Sequence, residues 1–135
     1  MEDLGGSIKM LKALAPQVVT AAASGAYVDR LGFQSAVFGI NTGATAGVPT
    51  TYTTAWKVEE SSESAITSAT GWSAITSATG TVAVMNSESY IDVNLKGCKR
   101  YVRLVVTMTA TGGSSPSVLC SGGVALGEAY LLPQS

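Results

Sequence analysis

The chain is predicted to be all-β: an antiparallel β-sandwich, jelly-roll-like, of about eight short strands. Three observations predict this. Apolar residues recur with period two, most clearly where Tyr52, Thr54, Trp56 and Val58 alternate with Thr53, Ala55, Lys57 and Glu59. Turn-forming clusters of Gly, Pro, Asn and Ser punctuate the sequence roughly every ten residues. No long stretch carries the apolar spacing of an amphipathic helix. Strands with one apolar face are buried when two sheets pack those faces together.

Taken in order, Ser7 to Ala15 fits two patterns: Leu11 and Leu14 share a helical face, while Ile8, Met10 and Leu14 also fit alternation. Pro16 is expected to end the segment in either case. Residues 1–14 are therefore set apart as an N-terminal segment, open between a docking arm and a first strand, with 15–135 as one sandwich domain. Gly5-Gly6 gives the segment reach, and Ile8, Met10, Leu11 and Leu14 give it apolar area to bury on a neighbour. Gln17–Thr20 and Ala26–Leu31 are expected strands, separated by the turn Ala23-Ser24-Gly25. Gln34–Ile40 places Ala36, Phe38 and Ile40 on one face, and the small residues from Asn41 to Thr50 are expected to form a loop. Thr51–Glu60 follows as the best-patterned strand.

A verbatim duplication comes next, Ser64-Ala65-Ile66-Thr67-Ser68-Ala69-Thr70-Gly71 recurring as Ser73-Ala74-Ile75-Thr76-Ser77-Ala78-Thr79-Gly80. Two copies are too few for a solenoid, so it is expected in a loop or edge strand. In the second half, Ile91, Val93 and Leu95 alternate on one segment, and Val102, Leu104, Val106 and Met108 on the next. With Lys96-Gly97-Cys98-Lys99 between them, the pair is expected to form a hairpin. Val118–Tyr130 is expected to give one or two last strands, with Gly122-Gly123 marking a bulge or close sheet packing.

Charged residues make up only 13% of the chain, against about 25% in an average soluble domain, and the net charge is −1. A near-neutral surface has little self-repulsion, which suits a protein covered by partners in use. The few basic residues form no stripe for nucleic acid, and no apolar run reaches the roughly 18 residues of a membrane span. Acids at Glu2 and Asp3 stand where a signal peptide has basic residues, so secretion by that route is not expected. Cys98 and Cys120 lack any metal-type spacing and are expected as free thiols.

There is no histidine, which removes the commonest general base and transition-metal ligand together, and no nucleophile motif is present. No enzyme activity, cofactor or metal is expected. Glu59, Glu60 and Glu63 lack the loop that organises a calcium site. Lys96, Lys99, Arg100 and Arg103 form the one basic cluster, read either as a charged, solvated turn or as a patch for an acidic partner. Trp56 and Trp72 fit core positions better than a sugar-stacking platform.

Four segments carry a resemblance: Ser7-Ile8-Lys9 running to Ala13-Leu14-Ala15-Pro16, Val28-Asp29-Arg30-Leu31-Gly32-Phe33-Gln34-Ser35-Ala36, Trp56-Lys57-Val58-Glu59-Glu60-Ser61, and Gly97-Cys98-Lys99-Arg100-Tyr101-Val102-Arg103. In order and spacing they resemble the head decoration, or cement, proteins of tailed bacteriophages. The duplicated segment at 64–80 departs from that pattern. The resemblance implies a β-sandwich on the outside of the virion, assembled in the host cytoplasm, bridging capsomers against internal DNA pressure. Its implied partners are the major capsid protein and neighbouring copies of itself as a homo-oligomer. The residues placed at such contacts are Ile8, Met10, Leu11, Lys96, Lys99, Arg100 and Arg103. Two alternatives remain, a tail-fibre receptor- or carbohydrate-binding module and a head–tail connector or tail component.

Overall fold

The computed structural model describes residues 7–62 and 71–129. Among them are nine strands: β1 (Lys9–Val19), β2 (Ala22–Ser24), β3 (Val28–Asp29), β4 (Phe33–Ala46), β5 (Thr51–Ser61), β6 (Ser73–Val82), β7 (Ser87–Asn94), β8 (Tyr101–Thr111) and β9 (Ser117–Ala129). They form an antiparallel β-sandwich. The first sheet runs β1-β9-β4-β7, and the second runs β2-β8-β5-β6 with β3 also paired to β8.

The core lies where alternating side chains of the two sheets meet. Leu14, Phe38, Ile40, Val124 and Leu126 come from the first sheet, and Trp56, Val58, Val102, Leu104 and Val106 from the second, all at most 2% exposed. Each such side chain contributes about 1.5–3 kcal/mol by leaving water. The sheets approach so closely that a Cβ on Gly122 would lie 2.4 Å from Leu104 Cδ2, which accounts for glycine in the middle of β9.

Several expectations change in the structure. Residues 9–14 lie in β1, paired with β9 from Lys9–Leu126 onward, and Pro16 does not end the strand. β1 is an edge strand whose register slips between Leu14 and Gln17, so the proline sits where no ladder hydrogen bond is required of it. The expected loop from Asn41 is strand as far as Ala46, because β9 supplies partners from Ser121 to Ser117 across a slip at Thr42/Thr45. Thr42 is buried there, and its Oγ1 bonds with the Ser87 main chain.

The expected hairpin is not one. β7 pairs with β4 and β8 pairs with β5, in opposite sheets. Their apolar faces do point inward, but across the core β7 meets β6 while β8 meets β1 and β9. Val118 onward is one continuous strand, β9, and Ala26–Leu31 contributes only the two-residue β3. The second copy of the duplication is β6, at the edge of the second sheet; most of the first copy lies outside the described residues.

Gly80 in β6 pairs with Trp56 in β5. A Cβ there would lie 2.6 Å from Nε1 and Cε2 of an indole that is only 2% exposed. Gly80→Ala should therefore cost about 1–3 kcal/mol through overpacking, seen as a melting temperature several degrees lower, whereas Thr79→Ala on the exposed side should leave it nearly unchanged. Equal melting of the two variants would refute this account of Gly80.

Candidate interaction surface

Where β7 leaves the first sheet, the chain is held by Arg30. Its guanidinium donates to three main-chain carbonyls, those of Lys99 (2.9 Å), Phe33 (3.3 Å) and Cys98. The turn beneath is closed by Cys98 N–H donating to Leu95 O at 3.0 Å and by Lys96 N–H donating to Asn94 Oδ1 at 3.0 Å. Gly97 supplies the left-handed residue, with φ of 82°. Sequence reasoning did not single out Arg30, because a role played wholly through main-chain carbonyls leaves no side-chain motif.

The basic cluster divides on this scaffold. Arg100 forms a two-point pair with Asp29, Nε to Oδ1 at 3.0 Å and Nη2 to Oδ2 at 2.8 Å, and this hydrogen bonding holds the Asp29 carboxyl below its usual range against a smaller opposing effect of burial. Arg103 donates twice to Glu59 Oε1, at 2.9 and 2.8 Å, while its guanidinium carbon lies 4.5 Å from the Trp72 ring centroid. Lys57 Nζ completes the group at 3.1 Å from Glu59 Oε2. Burial pushes the Glu59 carboxyl up, but the hydrogen bonds from Arg103 and Lys57 outweigh it, and the net direction is down.

Glu60 accepts the Lys99 main-chain N–H at 2.9 Å, and Glu63 lies outside the described residues. Among the described residues no group of three His, Cys, Asp or Glu is placed to hold a metal. Lys96 and Lys99 remain exposed at the turn. Of the N-terminal candidates, Leu11 packs against the core, whereas Ile8 and Met10 are exposed. Ile8 precedes the first pair of β1 with β9, at the same end of the first sheet as the Asn94–Ser35–Gly127 row from which the Lys96 turn departs.

The outer face of the first sheet is the larger feature. Its register lays out two adjacent rows across the strands: Met10, Ala125, Val37 and Asp92 in one, Lys12, Gly123, Gly39 and Tyr90 in the next. Side chains in a row share a face. Met10, Val37 and Tyr90 are 69%, 39% and 74% exposed, and Val18 and Leu119 are exposed further along. A shallow depression there, about 540 Å³, is lined by Pro16, Val18, Asn41, Gly43, Leu119 and Ser121 among others. A Cβ on Gly39, Gly123 or Gly127 would find its nearest neighbour 3.8, 3.9 or 3.7 Å away, so the domain's own packing does not require glycine at these positions.

The second sheet presents a different face outward. Thr53, Thr109, Thr107, Thr79 and Thr81 line it, and Thr51 and Thr111 bond to each other through their hydroxyls. Trp56 is buried, and Trp72 lies half-buried against Arg103, so neither offers an open ring face for a sugar. Both cysteines are free thiols, and burial pushes Cys120 up to about 11, which keeps it protonated and unreactive at neutral pH.

No protein-family model and no curated protein matches the chain. In fold it is similar to the solved structure of the PBSX exported protein XepA, with a TM-score of 0.60 and 18% identity over 100% of this chain; the chain spans 42% of that protein's length. Two further structures align less closely. The SPBc2 prophage-derived protein YomS gives a TM-score of 0.46 at 17% identity, covering 87% of this chain and 92% of that one. Infectious bursal disease virus, Gx strain, gives 0.48 at 12% identity, covering 88% and 31%.

The Glu59–Arg103 pair has a pH signature. A carboxylate whose folded pKa is lowered contributes stability that is present above its unfolded value, about 4.3, and lost as pH falls through the folded value. Glu59→Gln should lower stability by about 1–3 kcal/mol at pH 7, the range for losing a hydrogen-bonded charge partner. The difference from the parent should shrink below about pH 4. Denaturant midpoints at pH 7 and pH 3 check this; a gap that stays constant with pH would mean that Glu59 acts through shape alone.

Proposed function

We propose that the chain is a structural protein of a phage particle, a decoration protein that binds the outer surface of an assembled capsid and stabilises capsomer junctions. The observation that carries the proposal is the gathering of an exposed apolar N-terminal edge, Ile8 and Met10, with the exposed Lys96 and Lys99 at one end of a neutral sheet face. Such an end offers apolar area together with positive charge to an acidic capsid surface. The fold similarity to the PBSX exported protein XepA and the resemblance in the four segments agree with it. So do the absence of histidine from the sequence and the inert Cys120 thiol, which favour a non-enzymatic role.

Of the seven candidate contact residues, Ile8, Met10, Lys96 and Lys99 keep a direct role in this proposal. Leu11, Arg100 and Arg103 support the surface from within the domain, by packing or by ion pairing. Binding to the assembled lattice but not to free subunits stabilises the shell by mass action, and many copies act together. A carbohydrate-binding tail module is disfavoured by the covered tryptophans. A connector would be present in a handful of copies per particle, a decoration protein in numbers comparable to the capsid subunits.

Capsid co-sedimentation tests the proposal. The variant Lys96→Glu/Lys99→Glu should melt like the parent but bind capsids at least tenfold more weakly, and binding of the parent should fall with added salt. Full binding by this variant would remove the turn from the contact. Parent protein that ignores capsids altogether would overturn the decoration role.

A further inference from the structure

The outer face of the first sheet is not explained by the domain that carries it. Its exposed apolar side chains, Met10, Val37, Tyr90 and Leu119, sit on a floor that includes Gly39, Gly123 and Gly127. Glycine in a strand interior is less favourable than alanine, and at these three positions the chain has ordinary room for a Cβ. Glycine in a strand without an internal reason marks close approach by another backbone.

Apart from Lys96 and Glu128, which share a depression with Val37 and Asp92 at one end of this face, its charges are few and placed asymmetrically. Lys12 stands on β1 at one edge; Glu88 and Asp92 stand on β7 at the opposite edge, flanking Tyr90 in the neighbouring rows. All three are exposed. A two-fold axis parallel to the strands lays β1 of one copy over β7 of the other and keeps the rows in step. Lys12 then falls opposite Tyr90, between Glu88 and Asp92, and the match is made twice. A two-fold axis across the strands would instead stack Lys12 on Lys12 and the acids on one another.

We infer that this face binds a second copy of the chain, sheet on sheet, with the two-fold axis along the strands and Lys12 of each copy paired with Glu88 and Asp92 of the other. The contact is isologous and closes on itself. Four strands about 4.8 Å apart, over eight residues at about 3.4 Å each, give a face of roughly 500 Å² per copy. Two such faces together reach about 1,000 Å², the lower bound for a specific interface. The inference names the partner for the body of a face of which the proposed function uses only the Ile8–Met10 corner, and it rests on that reading only in taking the face to be covered in use.

Sedimentation equilibrium of the full chain tests it, with no capsid present. The parent is expected to be a dimer. Lys12→Glu should weaken it at least tenfold, as should Glu88→Lys/Asp92→Lys, and the triple variant combining all three should recover most of the affinity. Gly123→Val should melt at or above the parent's temperature at a concentration where both are monomeric, yet associate at least tenfold more weakly. A monomeric parent, a triple variant no better than its components, or a Gly123→Val chain that still dimerises fully would each overturn the inference. Capsid co-sedimentation is read separately. A monomer that decorates capsids sinks the dimer and leaves the decoration role standing, and a dimer that ignores capsids does the reverse.

Discussion

The structure depends on the contact between the two sheets, and above all on β8 lying across β9 and β1. Val102, Leu104 and Val106 are fully buried, and the Leu104 methyl occupies the space that Gly122 leaves open. A core packed to this density commits one face of every central strand, since a missing or extra methylene is felt at once. What remains for function is the outer faces, the edges and the connecting turns. The separate behaviour of the two outer faces follows. The threonines on the second sheet satisfy β-propensity and water together, whereas the first sheet meets water with glycine backbone and isolated apolar side chains.

Alternation made the inward residues legible. Thr54, Trp56 and Val58, or Val93 and Leu95, were identifiable as buried from spacing alone because a strand's side chains repeat every two residues. Spacing does not name the partner strand. The 90–95 and 101–108 segments have the pattern of a hairpin and also that of two strands in opposite sheets, and the short turn at Gly97 permits either. The partners are β4 for β7 and β5 for β8, and Arg30, far away in sequence, grips the Cys98 and Lys99 carbonyls of the chain between them. Pro16 and the small residues after Asn41 were misjudged for a related reason. Local breakers are overridden where an edge position or a slip in register relieves them of a ladder bond.

The candidate contact residues were legible as types but not as environments. A run such as Lys99-Arg100-Tyr101-Val102-Arg103 announces positive charge, yet alternation along β8 sends Arg103 to the outer face beside Glu59 and leaves Arg100 within reach of Asp29. Once paired in this way the two arginines secure the strand ends. Removing either partner of the half-buried Glu59–Arg103 pair would strand a desolvated charge. Lys96 and Lys99 are exposed at a turn whose main chain is already held, so neither is drawn into a ladder position as Arg103 is.

The charges that the proposed dimer uses are invisible to a linear reading. Lys12, Glu88 and Asp92 are scattered over eighty residues, and only the strand order β1-β9-β4-β7 sets them at opposite margins of one face. The same order brings Gly39 beside Gly123, two positions whose glycines carry no local signal. An asymmetric charge pair across an otherwise neutral face restricts how that face meets its own copy more than it strengthens the meeting. It penalises the arrangement that stacks like charges and leaves the apolar side chains to supply the area. With only 13% of residues charged, few other orientations are penalised by repulsion. In the proposed dimer, the placement of these three side chains therefore favours the two-fold arrangement that avoids stacking like charges.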